Sequence, residues 1–305
     1  MKAVANGDHH LRFMPIIVPQ NIRPIMKKNL QFLRWAGSKK RLIPKLSNYW
    51  YPGFKRYIEP FMGSACLFFE LMPQRAILSD INVDLINTFN VVRDYYAEVH
   101  SRLLTQQVTK EDYYRIRAIN STELDKIGQA VRFIYLNRFC FNGLYRTNSK
   151  GQFNVPFTSG RTGGLPSLDI LESVSSLLKI AELRCCDFEE TIDDATAGDF
   201  VYLDPPYAIS GKRIFREYYP NSFGGDDIPR LKRALENLDS KNVKFVLSYA
   251  FSAEIMSEFK RWEYVRLKTQ RNISGFSKHR RKSEEVLFSN FSPHNFETTQ
   301  LARNL

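Results

Sequence analysis

Short apolar segments alternate with longer helix-like stretches, and this alternation constrains the fold more than any other feature of the sequence. Many of the apolar segments end at an acid or a turn-like residue. The pattern predicts five strands, at residues 56–59, 76–79, 183–186, 200–203 and 245–248. Strands that alternate with helices indicate an α/β fold with a parallel sheet. Further along, "YVRLKTQRN" and "EEVLFSNF" are joined by a loop and not a helix, which predicts an antiparallel hairpin that closes the sheet.

Between about residues 90 and 166 the strand pattern is absent. Apolar residues at helical spacing, among them Ile127, Ala130, Val131 and Ile134, predict a strongly apolar helix. This helix leads into "NRFCFNGLYRTNSKGQFNVPFTSGRTGG", which is rich in Asn, Gly, aromatic residues and Arg. Long ordered loops in compact proteins usually have a function. We therefore expect a mostly helical insertion that carries an exposed loop or hairpin.

The charge of the chain indicates a polyanionic partner. Lys and Arg number 44 against 32 acids, a formal net charge of +12, which is typical of proteins that bind nucleic acid. No window of 18 consecutive apolar residues is present, so no transmembrane helix and no membrane partner are expected. The cysteines show no metal-type spacing, which favours a reduced, intracellular protein without a metal site. They are Cys66, Cys140, Cys185 and Cys186.

Three acids, Glu59, Asp80 and Asp204, stand where predicted strands end. Ligands of open α/β sheets collect beyond the carboxyl ends of the strands. Asp80 comes 17 positions after Gly63, and an acid near that spacing commonly holds the hydroxyls of a ribose. The stretch 63–65, Gly-Ser-Ala, is not a full glycine-rich phosphate loop. The ligand is therefore expected to be a nucleoside without a pyrophosphate, such as S-adenosylmethionine (SAM).

The fourth predicted strand runs directly into Asp204-Pro205-Pro206-Tyr207. The two prolines fix a rigid turn and remove two backbone donors. Asp204 and the Pro205 carbonyl can then both accept hydrogen bonds from one exocyclic amino group, while Tyr207 offers a face on which a base stacks. A planar amine is a poor nucleophile, but it becomes competent when it is oriented and polarised in this way. These four residues are the predicted catalytic site.

Seven segments, in order, resemble the Dam-type DNA adenine N6-methyltransferases over residues 28 to about 291. The resemblance implies a Rossmann-like SAM-dependent methyltransferase sheet with a terminal antiparallel hairpin, interrupted by a target-recognition insertion. It divides the chain into an N-terminal extension (1–25), a methyltransferase core in two parts (26–90 and 167–291), the target-recognition domain (91–166) and a tail (292–305). The segments are "FLRWAGSK" (32–39), "YIEPFMGSA" (57–65), "LSDINVDLIN" (78–87), "FIYLNRFCFNGLYR" (133–146), "GQFNVPF" (151–157), "DPPY" (204–207) and "RNIS…RRKSEEVLF" (271–288).

The resemblance also implies which residues bind SAM. Lys39 is expected to meet the methionine carboxylate, Trp35 to wall the pocket, and Asp80 to hold the ribose. Asp187 and Phe188 resemble the acid and the aromatic residue that hold the cofactor adenine, although a plain surface acid remains an alternative for Asp187. The remaining cofactor contacts are Glu59, Gly63 and Asp204. Ala65 replaces a glycine that many members carry, so a methyl group there is expected to tighten the pocket.

The resemblance implies a duplex DNA substrate whose adenine is flipped out of the helix. Phe141 matches an aromatic wedge, Asn142 a contact to the disturbed base pair, and Arg34 a lysine that reads the outer guanine. The base-edge readers of members that recognise GATC align with Leu144, Arg146 and Pro156. A basic loop is expected to grip phosphates; its residues are Arg271, Lys278, Arg280, Arg281 and Lys282. We expect a monomer on DNA in a bacterial or phage-infected cell.

Four alternative functions are compared with DNA adenine methylation. The same turn can present the N4 amine of cytosine, and an adenine of structured RNA has the same N6 amine. A DNA-binding regulator without activity would use the same fold, but it predicts loss of Asp204 or of the cofactor acids, which are present. A nicotinamide oxidoreductase would need a complete glycine-rich loop, which the sequence does not contain.

Overall fold

A computed structural model of the protein describes residues 30–159, 163–207, 223–270 and 282–293. Within these ranges one seven-stranded sheet is built from β1 Tyr57–Glu59, β2 Ala76–Asp80, β3 Ala181–Cys185, β4 Phe200–Leu203, β5 Lys244–Ala250, β6 Glu263–Gln270 and β7 Lys282–Ser289. The α-helices are α1 Ile43–Leu46, α2 Cys66–Leu71, α3 Val83–Leu104, α4 Lys110–Ala118, α5 Lys126–Phe139, α6 Leu168–Leu178, α7 Phe188–Asp193, α8 Ile228–Ser240 and α9 Ala253–Glu258. None of the helices in the described part of the chain is long and apolar enough to span a membrane.

The strands lie in the order β3-β2-β1-β4-β5-β7-β6. The pairs among β1 to β5 are parallel, whereas β7 runs antiparallel to both β5 and β6. The predicted α/β sheet and its terminal antiparallel hairpin are therefore confirmed. The strand order reverses between β1 and β4, and such a switch point is where open α/β sheets bind ligands.

Both faces of the central strands are covered. In β4, Phe200 and Tyr202 join one apolar cluster, while Val201 and Leu203 join a second cluster on the other face. Neighbouring residues of a strand point to opposite faces, so a strand that is buried on both sides consists of consecutive apolar residues. This burial explains why the apolar segments could be recognised in the sequence.

The edge strand β3 begins two residues before its predicted start. It includes Ala181 and Glu182, and the exposed Glu182 pairs with Arg184 through a contact of 2.7 Å. Charged residues are common on edge strands, where one side remains in solvent. The apolar pattern therefore predicted a start for this strand that is two residues too late.

Helices and one irregular hairpin form the insertion, as predicted. Asp125 caps α5 by accepting the Gly128 N–H at 2.6 Å, and the helix ends at Phe139. The chain then folds back on itself through isolated bridges between Cys140 and Phe157 and between Thr147 and Phe153. The division into domains stays a prediction: α3 continues across residue 90, and residues 1–25 lie outside the described ranges.

Candidate active site at the carboxyl ends of the strands

The three predicted acids come together at the switch point. Glu59 ends β1, Asp80 ends β2, and Asp204 directly follows β4, and β1 lies between the other two strands. Burial raises the pKa of Glu59 well above its usual value; a hydrogen bond from Tyr57 (2.9 Å) opposes the rise, and the charges of Asp204 and Asp80 add to it. This corner of the site is therefore partly dehydrated, and the charged form of Glu59 is disfavoured there.

Asp80 is oriented by the backbone around it. One carboxylate oxygen accepts the Gly63 N–H at 3.1 Å, and the other accepts the Asn82 N–H at 3.0 Å. Burial raises the pKa of Asp80 to about 6, although these backbone hydrogen bonds oppose the rise. A carboxylate offers about four lone-pair positions, so each oxygen retains capacity for one further donor. Two adjacent hydroxyls of a ribose are donors of the required kind.

The turn after β1 passes close under an indole ring. Gly63 has φ +46°, and a Cβ at this position would lie 2.7 Å from Nε1 of Trp35. Only glycine combines that backbone conformation with so close an approach. Trp35 also stacks near Phe133 and Tyr145, at centroid distances of 6.5 and 6.4 Å. Trp35 therefore walls the turn, as predicted for a pocket residue, but its contact with SAM stays a prediction.

Ala65 takes a conformation that favours glycine. Its φ is +51° and ψ is 34°, and its side chain is fully buried directly before α2. The left-handed region costs a residue with a Cβ roughly 1–2 kcal/mol. The replacement of glycine noted in the sequence thus falls on a residue whose backbone strain is observed.

Asp187 and Phe188 lie at the start of α7. Asp187 caps this helix by accepting the Glu189 N–H at 3.0 Å, and its carboxylate also contacts Arg230 at 2.8 Å. Phe188 is buried and stacks on Phe61 at a centroid distance of 5.3 Å. The structure shows a capping acid and a packed aromatic residue here, and their contact with a cofactor adenine stays a prediction.

The carboxylate of Asp204 is held by two long-range partners. Nζ of Lys39 lies 2.7 Å from its Oδ1, and the Ser248 hydroxyl donates to the same oxygen at 2.8 Å. Burial of Lys39 disfavours its charge, but attraction from Asp204, Tyr207 and Glu285 raises the pKa of Lys39 above its usual value. Lys39 was predicted to meet the methionine carboxylate, a contact that stays a prediction, and here its ammonium group binds Asp204.

Tyr207 packs at the far end of the catalytic turn. Its ring lies 4.8 Å from Lys39 Nζ and 4.9 Å from the ring centroid of Tyr249, and its hydroxyl donates to Glu285 at 3.4 Å. Burial raises the pKa of Tyr207, so the phenol remains protonated and can donate. Of the two prolines, Pro205 is buried and Pro206 is exposed. The turn therefore presents a charged acceptor beside an oriented aromatic face.

The predicted DNA wedge lies on the surface of the insertion. Phe141 and Asn142 are both exposed in the short turn after α5, and Asn142 has φ +55°. The Phe141 N–H donates to the Pro156 carbonyl at 2.9 Å, so the wedge and the hairpin are joined. This exposure contradicts the alternative that Phe141 is an ordinary core residue.

The predicted base readers make local contacts. The guanidinium of Arg146 donates to the Asn154 side chain at 2.6 Å, Leu144 is half-buried, and Pro156 is exposed. Arg34 donates from its guanidinium to the carbonyls of Arg138 and Cys140, at 2.9 and 3.1 Å. The structure thus ties Arg34 to the end of α5, and its reading of a guanine stays a prediction.

The predicted phosphate-binding loop falls almost wholly outside the described residues. Arg271, Lys278, Arg280 and Arg281 lie outside them, and Lys282 is described only as the first backbone residue of β7. Their contacts with phosphates stay predictions.

Four residues of the site region were missed from the sequence. Ser248 is a buried polar residue in the apolar strand β5, and this was the available signal, whereas Glu285 stands in the polar first half of β7, where it resembles its exposed neighbours. Arg230 contacts three acids, and Asn137 exchanges two hydrogen bonds with the backbone of Arg34, at 2.8 and 2.6 Å. The sequence carried no comparable signal for the contacts of Arg230 with Asp187 and Glu189 or of Asn137 with Arg34, because these partners are distant along the chain.

The sheet order and the acids at the strand ends together define a Rossmann-like methyltransferase fold. The family of D12 class N6 adenine-specific DNA methyltransferases matches residues 35–283, and the chain belongs to this family.

Three relatives with methylase or methyltransferase names match most of this chain. The DNA adenine methylase of Haemophilus influenzae is 35% identical over 284 residues, which cover 88% of this chain and 96% of that protein. The type II methyltransferase M1.LlaDCHI of Lactococcus lactis subsp. cremoris is 32% identical over 280 residues, covering 89% and 96%. The DNA adenine methylase of Escherichia coli K12 is 32% identical over 267 residues, covering 86% and 95%.

Proposed function

We propose that the protein transfers a methyl group from SAM to N6 of an adenine flipped out of duplex DNA, within GATC or a related short site. The observation that carries this proposal is the anchored carboxylate of Asp204. Lys39 and Ser248 both bind its Oδ1, at 2.7 and 2.8 Å, at the start of a turn whose prolines leave carbonyls without competing donors. The turn is therefore preorganised to accept hydrogen bonds from an amino group.

The residues at the switch point fit SAM by their chemistry. Asp80 retains acceptor capacity for two ribose hydroxyls, and Gly63 opens the turn beneath Trp35. Burial disfavours the charged form of Glu59, so the negative charge that favours a sulfonium cation over a neutral ligand comes from Asp80 above its pKa of about 6.

Bound SAM supplies a methyl group that is already electrophilic on its positively charged sulfur. Asp204 and the Pro205 carbonyl accept the two N6 hydrogens, which directs the nitrogen lone pair away from the ring system. Lys39 holds the Asp204 carboxylate in place, and the ring of Tyr207 stacks on the base. The N–C bond would form as the S–C bond breaks, which leaves S-adenosylhomocysteine as a neutral thioether. Asp204 would stabilise the positive charge on N6, and the N6 proton would then pass to solvent water. Neither a Lewis acid nor a strong base is needed.

We further propose that the insertion is the target-recognition domain. The exposed Phe141 and Asn142 are placed to fill the gap that a flipped base leaves, and the adjoining hairpin carries Leu144, Arg146 and Pro156 to the base edges. The resemblance to members that recognise GATC supports this assignment, as does the net charge of +12.

The test is methylation of a random-sequence duplex with SAM, followed by mapping of the modified bases. We expect N6-methyladenine within a short palindrome that has a central adenine–thymine step, and equal activity with and without EDTA. N4-methylcytosine as the product, methylation confined to RNA, or activity lost with EDTA would each contradict the proposal.

A further inference from the structure

Glu285 is a buried acid that the sequence did not single out. It lies on β7 opposite Ala250 of β5 and Leu267 of β6, and only 7% of its surface is exposed. Its position behind the catalytic turn is reached only because the last hairpin inserts β7 between β5 and β6.

Glu285 meets two members of the site at once. Its Oε2 accepts the Tyr207 hydroxyl at 3.4 Å and lies 4.0 Å from Nζ of Lys39. The same ammonium group binds Asp204 at 2.7 Å and lies over the Tyr207 ring at 4.8 Å. One lysine therefore stands between two carboxylates and above the aromatic ring.

A buried carboxylate is costly unless a cation and hydrogen-bond donors compensate for its lost hydration. Lys39 and Tyr207 supply both. The neighbouring acid, Glu284, illustrates the contrast: it points to the opposite face, is more exposed, and pairs with Arg266 of β6. Core packing alone does not require an acid at position 285, since an apolar residue would fill a strand face at lower cost.

We propose that Glu285 is a positioning residue, which holds the Tyr207 ring by its hydroxyl and shares Lys39 with Asp204, so that the catalytic turn keeps the geometry a flipped base requires. This inference rests on the proposed function. Tyr249 packs against the Tyr207 ring at a centroid distance of 4.9 Å, and the hydrogen bond to Glu285 fixes the position of the hydroxyl at the far end of the ring. Lys39 also faces Glu285, so its ammonium group is attracted from both sides. It therefore cannot pull the Asp204 carboxylate far from its position.

The experiment compares Glu285→Gln with Glu284→Gln, the same isosteric change at adjacent residues that point to opposite faces of β7. Turnover and KM for both substrates are measured with SAM and a random-sequence duplex. We expect Glu285→Gln to lower kcat about 10- to 100-fold, because a neutral acceptor binds the Tyr207 hydroxyl more weakly and the negative charge that faces Lys39 is lost. Glu284→Gln should resemble the wild type, and KM for SAM should change by less than roughly threefold in both variants.

Tyr207→Phe removes the same hydrogen bond from the other side and leaves β7 intact. If Glu285 acts through this hydroxyl, the double variant loses little more activity than the stronger single variant, because coupled residues are not additive. Equal kcat for Glu285→Gln and Glu284→Gln, or losses that multiply in the double variant, would overturn the inference. A wild-type protein that methylates no DNA would instead contradict the proposed function, and the role of Glu285 with it.

Discussion

The carboxyl edge of the sheet and the hairpin of the insertion, at residues 140–157, hold their polar side chains in different ways. At the sheet edge, Asp204 binds Lys39 and Ser248, which lie 165 and 44 positions away along the chain. In the hairpin, Arg146 binds Asn154, eight positions away, at 2.6 Å. The position of Asp204 therefore depends on the whole fold, whereas the side chain of Arg146 is held from within the hairpin.

This difference suits the two regions to separate parts of the proposed function. A buried ion pair between distant elements cannot rearrange without cost, so it suits a reaction whose geometry is constant. A local contact on a surface loop can be exchanged for a contact with DNA at little cost to the fold. Changes at the sheet edge should therefore affect turnover on every sequence, and changes in the hairpin should affect sequence preference.

Removal of Asp204 should have the largest effect. Asp204→Ala deletes the acceptor of the target amine, and we expect kcat to fall by at least about 100-fold, as for other preorganised electrostatic groups. DNA affinity, measured by fluorescence anisotropy, should stay close to that of the wild type. Near-normal turnover would refute the orienting role of this carboxylate.

Removal of Asp80 should separate cofactor binding from chemistry. Asp80→Ala should raise KM for SAM about 10- to 100-fold, because hydrogen bonds from ribose to a charged acceptor are lost. Turnover at saturating SAM should change far less. Asp94→Ala, an exposed acid on α3 whose 2.9 Å partner is the adjacent Arg93, is the matched control. A loss of turnover at saturating SAM would place Asp80 in the chemical step instead.

Removal of Arg146 tests the hairpin. A bidentate contact of arginine with guanine contributes about 1–3 kcal/mol of discrimination, so Arg146→Ala should relax the preference for the outer base pair by roughly tenfold or more. Arg115→Ala removes an exposed arginine of α4 that pairs locally with Asp112 at 2.9 Å, and it should leave the mapped sites unchanged. An equal decrease on all sequences after Arg146→Ala would show that this residue contributes affinity and not recognition.

The affinity for SAM should depend on pH through Asp80. Its pKa of about 6 is raised by burial, and hydroxyl donors favour the ionised form. Affinity is therefore full well above this pKa and falls as the pH decreases through it, by at most about tenfold per pH unit. Calorimetry on the wild type and on Asp80→Asn tests this dependence, because the variant should lack it. The same decrease in Asp80→Asn would assign the titration to another group, such as the buried Glu59, whose pKa is also raised.

The smallest effect is expected at Ala65. Ala65→Gly relieves the left-handed backbone but removes a buried methyl group, and the two contributions, each of about 1 kcal/mol, oppose each other. The free energy of unfolding should therefore change by less than roughly 1 kcal/mol. Ala195→Gly, at a buried alanine whose φ is not positive, should be clearly destabilising in the same denaturant titration. Equal losses in both variants would show that the strain at Ala65 has no energetic consequence.

Much of this architecture follows from local patterns. The central strands were recognisable because burial on both faces requires consecutive apolar residues, and α5 because its apolar residues recur at helical spacing. Edge strand β3 was placed two residues late because Glu182 faces solvent. The acids Glu59, Asp80 and Asp204 were recognisable because the carboxyl ends of parallel strands meet at one edge.

Local sequence patterns were sufficient to predict the alternation of strands and helices along the chain, the acids at the strand ends, and the rigid turn at residues 204–207. These features depend on neighbouring residues, whose burial and backbone preferences act over a few positions. The contacts of Lys39 with Asp204, of Arg34 with the end of α5, and of Glu285 with Tyr207 became visible only in the three-dimensional structure. Such contacts join distant segments, and their geometry exists only after the sheet has brought those segments together.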